Sequence, residues 1–103
     1  MLDDGQKDRK LREMNNYYKL KDYINASRIG EDILQKYPSL SEALYIVGLC
    51  CAMMEDNVKT VRNFERLVQL DPKYKRTVYL FLSIAYKKLG KLEKGVDALN
   101  RAL

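Results

Sequence analysis

Cys50 and Cys51 are the side chains in this sequence best suited to metal binding, redox exchange or nucleophilic attack. They are adjacent and stand inside the apolar stretch Val47-Gly48-Leu49-Cys50-Cys51-Ala52-Met53-Met54. A structural zinc site needs four ligands, usually from two separated pairs. The chain has no second cysteine pair and no histidine at all. Neighbours on a helix point in different directions and make poor disulfide partners, and nothing nearby supplies the positive setting that lowers a thiol pKa. Both cysteines therefore read as small buried residues in a reducing compartment.

The remaining chemistry is equally thin. Without histidine the commonest general base is missing, and no glycine-rich phosphate loop is present. The carboxylate pairs Glu31-Asp32 and Glu55-Asp56 read as solvated faces or helix caps, and Asp3 and Asp4 sit on a frayed end. The expectation is a protein with no enzymatic activity, no metal and no cofactor.

The net charge is +5, with basic clusters at Lys7, Arg9, Lys10 and Arg12, at Lys73, Lys75 and Arg76, and at Lys87, Lys88, Lys91 and Lys94. Such clusters can hold an acidic partner or nucleic acid. They are explained as well by solvated helix faces. A nucleic-acid platform would interleave them with exposed aromatic rings. Tyr17, Tyr79 and Tyr86 fit a repeating core better, so an RNA-associated role is the weakest reading.

The elements that position these residues follow from apolar spacing. Leu44, Val47, Cys51 and Met54 lie on one helical face, and Val61, Phe64, Leu67 and Val68 on another. Tyr79, Leu82, Tyr86 and Leu89 repeat the first pattern, and Leu92, Val96, Leu99 and Leu103 the second. This predicts six helices in three pairs: 8–20 with 23–36, 40–54 with 58–70, and 76–89 with 92–103. Pro38 and Pro72 punctuate the ends of two pairs. Asp22 and Asp56 suit N-caps, Gly90 suits a left-handed helix end, and Ser39 with Glu42 fits a capping box. The short connections force neighbouring helices antiparallel. The unit recurs about every 34 residues, a period of stacked helix–turn–helix arrays.

On these residues the chain resembles the tetratricopeptide repeat family, whose signature runs W-x2-L-G-x2-Y, then A-x3-F, then P. The second unit matches with Leu44, Val47, Gly48, Cys51, Thr60, Phe64 and Pro72. The third matches with Tyr79, Leu82, Ser83, Tyr86, Gly95 and Leu99. The first has Lys10, Glu13 and Met14 where an aromatic, a leucine and a glycine are expected, and recovers with Tyr17, Ala26 and Pro38. Its opening is either irregular or a polar cap. Gly30 replaces a bulky residue and is expected to thin the local packing. The resemblance implies an all-α, right-handed superhelical solenoid of three antiparallel helix pairs. Its repeats span about 10–40, 41–74 and 76–103 after a polar N-terminal extension over 1–9. The array reads as incomplete at Leu103.

The resemblance also implies a concave face lined by the first helix of each pair. By register this groove holds Asn15, Tyr18, Tyr45, Leu49, Ala52, Met53, Thr77, Leu80, Ile84 and Lys88, with Tyr45, Leu49, Leu80 and Ile84 as the contact strip. Relatives that grip a peptide carboxylate use cationic and asparagine side chains in such a groove. Here those slots hold Leu11, Tyr45, Ile46, Leu80 and Phe81, and only Asn15 matches. Ile46 and Phe81 also fit packing against the preceding pair. The expected function is a protein–protein interaction scaffold that takes an apolar or helical segment of a partner. The alternative is a subunit that self-associates through the groove or the open face of Val96, Leu99 and Leu103. No apolar run is long enough to span a membrane, so an intracellular, cytoplasmic protein is expected, with membrane association left to regions outside this chain.

Overall fold

The computed structural model describes residues 4–103. Among them are six α-helices and no strands: α1 Asp4–Lys19, α2 Tyr23–Lys36, α3 Ser41–Met53, α4 Asn57–Leu70, α5 Arg76–Lys88 and α6 Leu92–Ala102. None of these is long and apolar enough to cross a membrane. Each helix packs on the next in sequence. In addition α1 touches α3, and α3 touches α5, whereas the backbones of α2, α4 and α6 stay apart. The result is two layers. The one whose members touch is the shorter along the array, so the molecule, 42 × 25 × 20 Å, curves toward α1, α3 and α5.

One turn is built three times. Asp22, Asp56 and Lys91 precede the second helix of each pair, and their amides bond back to the carbonyls of Tyr17, Cys51 and Tyr86 at 2.8–2.9 Å. This six-to-one closure needs a left-handed residue just before it. Lys21 (φ 62), Glu55 (φ 59) and Gly90 (φ 79) occupy that position. The Asp22 and Asp56 carboxylates then accept from the amides of Asn25 and Lys59, capping α2 and α4 as their sequence positions predict.

Two expectations at helix starts need correction. α3 begins at Ser41, with Leu40 at its cap and no side-chain cap bond, so Ser39 lies outside the first turn. Glu42 instead reaches sideways and accepts from Asn15 Nδ2 of α1 at 2.8 Å. α1 begins at Asp4, so residues 4–9 are helical. They carry no apolar stripe to announce it, and an Asp4–Lys7 ion pair at 3.9 Å spans the first turn. Asp3 lies outside the described residues.

The core runs unbroken between the layers and is centred on Phe64, Met14, Ile33, Leu44, Leu67 and Val47. Gly48 lies against Phe64: a β-carbon there would sit 2.3 Å from the ring, so only glycine lets α3 and α4 cross this closely. Gly30 does not thin the packing. It is buried, and a β-carbon there would meet Val47 Cγ2 at 2.3 Å and Met14 Sδ at 3.1 Å. Met14 occupies the position equivalent to Gly48, and Gly30 the one equivalent to Phe64. The first pair has exchanged which helix supplies the bulk.

Candidate partner-binding surface

The side chains expected on the groove all lie on α1, α3 and α5, and all but one are at least partly exposed. Tyr45 of α3 is half-buried and held on several sides. Its ring lies 5.4 Å from Tyr74 and 6.2 Å from Phe64, its hydroxyl is 3.4 Å from Thr77 Oγ1, and Lys75 Nζ lies 4.8 Å from its ring centre. Tyr18 of α1 is half-buried beside it, tilted against Tyr23 at 5.9 Å. Burial, and then its neighbours Tyr23, Tyr45 and Cys50, push the Tyr18 phenol above its ordinary range. Met53, Leu80 and Ile84 are exposed, the last two at 42% and 50%. Ala52 is half-buried and Thr77 is exposed. Leu49 is the exception: at 5% exposed it belongs to the core, because α5 packs directly on α3. The strip therefore rests on Leu49 rather than displaying it.

The polar residues at the edge are engaged within the chain. Asn15 Nδ2 donates to the Leu11 carbonyl and to Glu42, both at 2.8 Å. An amide committed to two internal acceptors is poorly placed to hold a peptide carboxylate. Lys88 Nζ lies 3.3 Å from Glu55 Oε1 and ties the α5 end to the turn after α3. Ile46 is buried in the core, and Phe81 is half-buried with its ring tilted against Phe64 of the preceding pair at 6.3 Å. Sequence reasoning missed Tyr74 and Lys75 as part of the surface. Their adjacency to Tyr45 comes from the fold of the 71–75 connection, for which helical spacing carries no signal.

The thiols are sealed. Burial raises Cys50 to about 12, with Cys51 adding to it. Burial, Asp56 and Glu31 raise Cys51 to about 11. Both stay protonated at neutral pH and neither is in a disulfide. Tyr79 and Tyr86 are buried in the core and offer no stacking face.

The outer layer has a different character. A cleft of about 620 Å³ lies between α2 and α4, lined by Lys59, Arg62 and Arg66 against Glu31. Arg62 pairs with Glu31 at 4.0 Å, and Arg66 Nε donates to the Pro38 carbonyl at 2.9 Å. At the end of the array a cleft of about 330 Å³ opens between α5 and α6, lined by Ser83, Lys87, Leu92, Gly95, Val96 and Leu99.

This arrangement is similar to several solved structures. A chain of the CopN–Scc3 complex matches with a TM-score of 0.88 and 18% identity over 98% of this chain and 59% of that one. PcrH in complex with the chaperone binding region of PopB matches with a TM-score of 0.87 and 12% identity, over 98% of this chain and 81% of that one. The Yersinia enterocolitica type III secretion translocator chaperone SycD, in an alternative dimer, matches with a TM-score of 0.85 and 15% identity, over 97% and 75%. The chain thus spans about three fifths of the first of these. No family model and no curated protein matches the sequence. The shared property is the fold, an all-α array of helix pairs of the tetratricopeptide-like kind.

Proposed function

We propose that this chain is a non-enzymatic interaction module that holds an apolar or helical segment of a partner protein along its inner layer. The observation that carries this reading is a strip of apolar side chains presented side by side by three helices. Tyr18, Tyr45, Met53, Leu80 and Ile84 form it, with Asn15 and Lys88 at the edge and Leu49 beneath. Exposed apolar patches of this kind mark interaction surfaces on soluble proteins. A helix laid into such a groove is a common way to fill one. Two of the similar structures support it: one is a complex of PcrH with a region of PopB, the other a complex of CopN with Scc3.

The test replaces Met53 and Leu80 with glutamate. Both are exposed, so helical circular dichroism and cooperative unfolding should survive. Binding of a panel of amphipathic peptides, read by fluorescence anisotropy, should weaken at least about tenfold. Unchanged peptide binding in the folded double variant would remove the inner layer as the site.

A further inference from the structure

One buried polar side chain breaks the repeat. Matching the left-handed turns Lys21, Glu55 and Gly90 aligns the three helix pairs residue by residue. Asn63 of α4 is then equivalent to Ile29 of α2 and Ala98 of α6. The outer helices carry an apolar residue at this position twice and an amide once. Asn63 is 6% exposed, and it lines the cleft between α2 and α4. Its Nδ2 donates to the Lys59 carbonyl one turn back, at 2.8 Å. Its Oδ1 accepts from no group among the described residues, and it is not sealed from solvent. A largely buried carbonyl oxygen is costly to leave without a donor. The cleft is the side from which a donor can come.

Two cations flank this amide. Lys59, four residues before it, and Arg66, three residues after it, line the same cleft. The ion pairs among the described residues are Asp4–Lys7, Glu31–Arg62 and Glu55–Lys88, so neither Lys59 nor Arg66 holds a carboxylate. Arg66 spends only its Nε, on the Pro38 carbonyl. Arg62, between them, is satisfied by Glu31 and adds no free charge. Lys59 and Arg66 stand about 10 Å apart along the helix axis, seven residues of rise. Three residues of extended chain cover about the same distance. Leu34 and Leu44 give the cleft an apolar floor.

The equivalent cleft between α4 and α6 lacks this combination. It keeps two cations at the same spacing, Lys94 and Arg101, but they lie against the rings of Tyr86 and Tyr79 at 5.9 and 6.0 Å. Asp97 stands in place of Arg62, and Ala98 in place of Asn63. The α2–α4 cleft lies inside the array, between the first and second pairs. The third pair follows it and leaves it open, so its openness does not depend on where the array stops.

The free groups define the occupant. Two unpaired cations call for two carboxylates, and Asn63 Oδ1 calls for an N–H between them. An extended chain has backbone N–H groups to give, whereas a helix has spent its interior ones on its own carbonyls. A nucleic-acid backbone brings phosphates but no amide. A second copy of this chain, at net charge +5, is repelled.

We infer that the α2–α4 cleft holds an extended acidic segment of a partner protein, with carboxylates at i and i+3 on Lys59 and Arg66 and an intervening backbone N–H on Asn63 Oδ1. This cleft is on the layer opposite the Met53–Leu80 strip. The probe is a fluorescein-labelled octapeptide, Gly-Ser-Asp-Ala-Val-Glu-Ser-Gly, compared by anisotropy with its amide counterpart, in which Asn and Gln replace Asp and Glu. The acidic peptide should bind the chain at least about tenfold more tightly than the amide one, and added salt should weaken it. Lys59→Gln with Arg66→Gln, both exposed, should remove that preference. Asn63→Ala, the residue the third pair carries there, should weaken the acidic peptide about tenfold while its salt dependence stays. Two control pairs, Lys94→Gln with Arg101→Gln and Met53→Glu with Leu80→Glu, should leave its binding unchanged. Circular dichroism checks that each variant is folded. Equal binding of the two peptides, a preference that survives Lys59→Gln with Arg66→Gln, full affinity in Asn63→Ala, or a loss in either control pair would overturn the proposal. So would a single-stranded RNA octamer that binds more tightly than the acidic peptide and is released by Lys59→Gln with Arg66→Gln, which would reassign the cleft to nucleic acid.

Discussion

The first and second helix pairs both cross at a glycine but with opposite parts. Between α3 and α4 the inner helix gives way at Gly48 and the outer helix fills with Phe64. Between α1 and α2 the inner helix fills with Met14 and the outer helix gives way at Gly30, which also admits Val47 from α3. A helix joint needs one bulky and one minimal residue at the crossing, and which helix carries which is free. A residue that looks like a defect when one helix is read alone is half of a matched pair when both are seen.

Four experiments press on that comparison, the largest effect first. Gly48→Leu and Phe64→Ala should be the most damaging; in the first, even the β-carbon would lie 2.3 Å from the Phe64 ring. A loss of about 3 kcal/mol is expected from urea unfolding, the upper range for overpacking a buried site. Gly30→Leu should cost less in a Met14→Ala background than in the native chain, because the thioether at 3.1 Å is then gone. Additive losses would show that the two residues are not a pair. Deleting the bulk should cost about 3–5 kcal/mol for Phe64→Ala and about 2–5 kcal/mol for Met14→Ala. A negligible effect of Met14→Ala would leave the first crossing without its proposed filler.

Alkaline pH separates the two joints differently. The buried thiols Cys50 and Cys51 belong to α3, and the equivalent α1 positions hold Asn16 and Tyr17. An acid whose pKa is higher in the folded state loses its proton more readily once unfolded. Its contribution is whole below the unfolded value, near 9 for these thiols, and is lost as pH rises toward the folded values of about 12 and about 11. Stability should therefore fall from about pH 9 upward, and Cys50→Ala with Cys51→Ala should flatten that slope in urea titrations. The smallest effect is at the turns. Lys21→Gly should relieve a left-handed residue and raise stability by up to about 1 kcal/mol, net of glycine's greater unfolded entropy. The same change at Glu55 should gain less, since it removes the Lys88 partner.

Much of this architecture is legible in the residues. Asp22, Asp56 and Gly90 mark turns by local chemistry, and local chemistry is what sequence spacing records. The small residues Gly48 and Gly95 announce close crossings for the same reason. Most of the misreadings depend on something outside the helix being read. Gly30 makes sense only once Val47 of α3 and Met14 of α1 are seen against it. Leu49 faces the groove by register but is buried, because the next inner helix lies over it. Ser39 fails as a cap because α3 begins at Ser41, and Glu42 has found Asn15 on another helix. The start of α1 at Asp4 was hidden because a polar helix end has no apolar period. Of the candidate surface, Tyr18, Tyr45, Met53, Leu80 and Ile84 come from the register that the family resemblance implies, and all five are at least partly exposed on α1, α3 and α5. Tyr74 and Lys75 do not come from it, since their position depends on how a connection folds back.

The separation of the outer helices has a mechanical consequence. The α2–α4 cleft is bridged by the exposed Arg62–Glu31 pair and the Arg66–Pro38 hydrogen bond. Contacts of these kinds contribute about 1 kcal/mol or less apiece. Widening that cleft stretches little else, whereas parting α3 from α5 would uncover Leu49 and pull Tyr45 from Thr77. The array is a coil with a stiff inner edge and a compliant outer one. Salt, which screens the exposed Arg62–Glu31 pair, should therefore loosen the outer edge before the inner one.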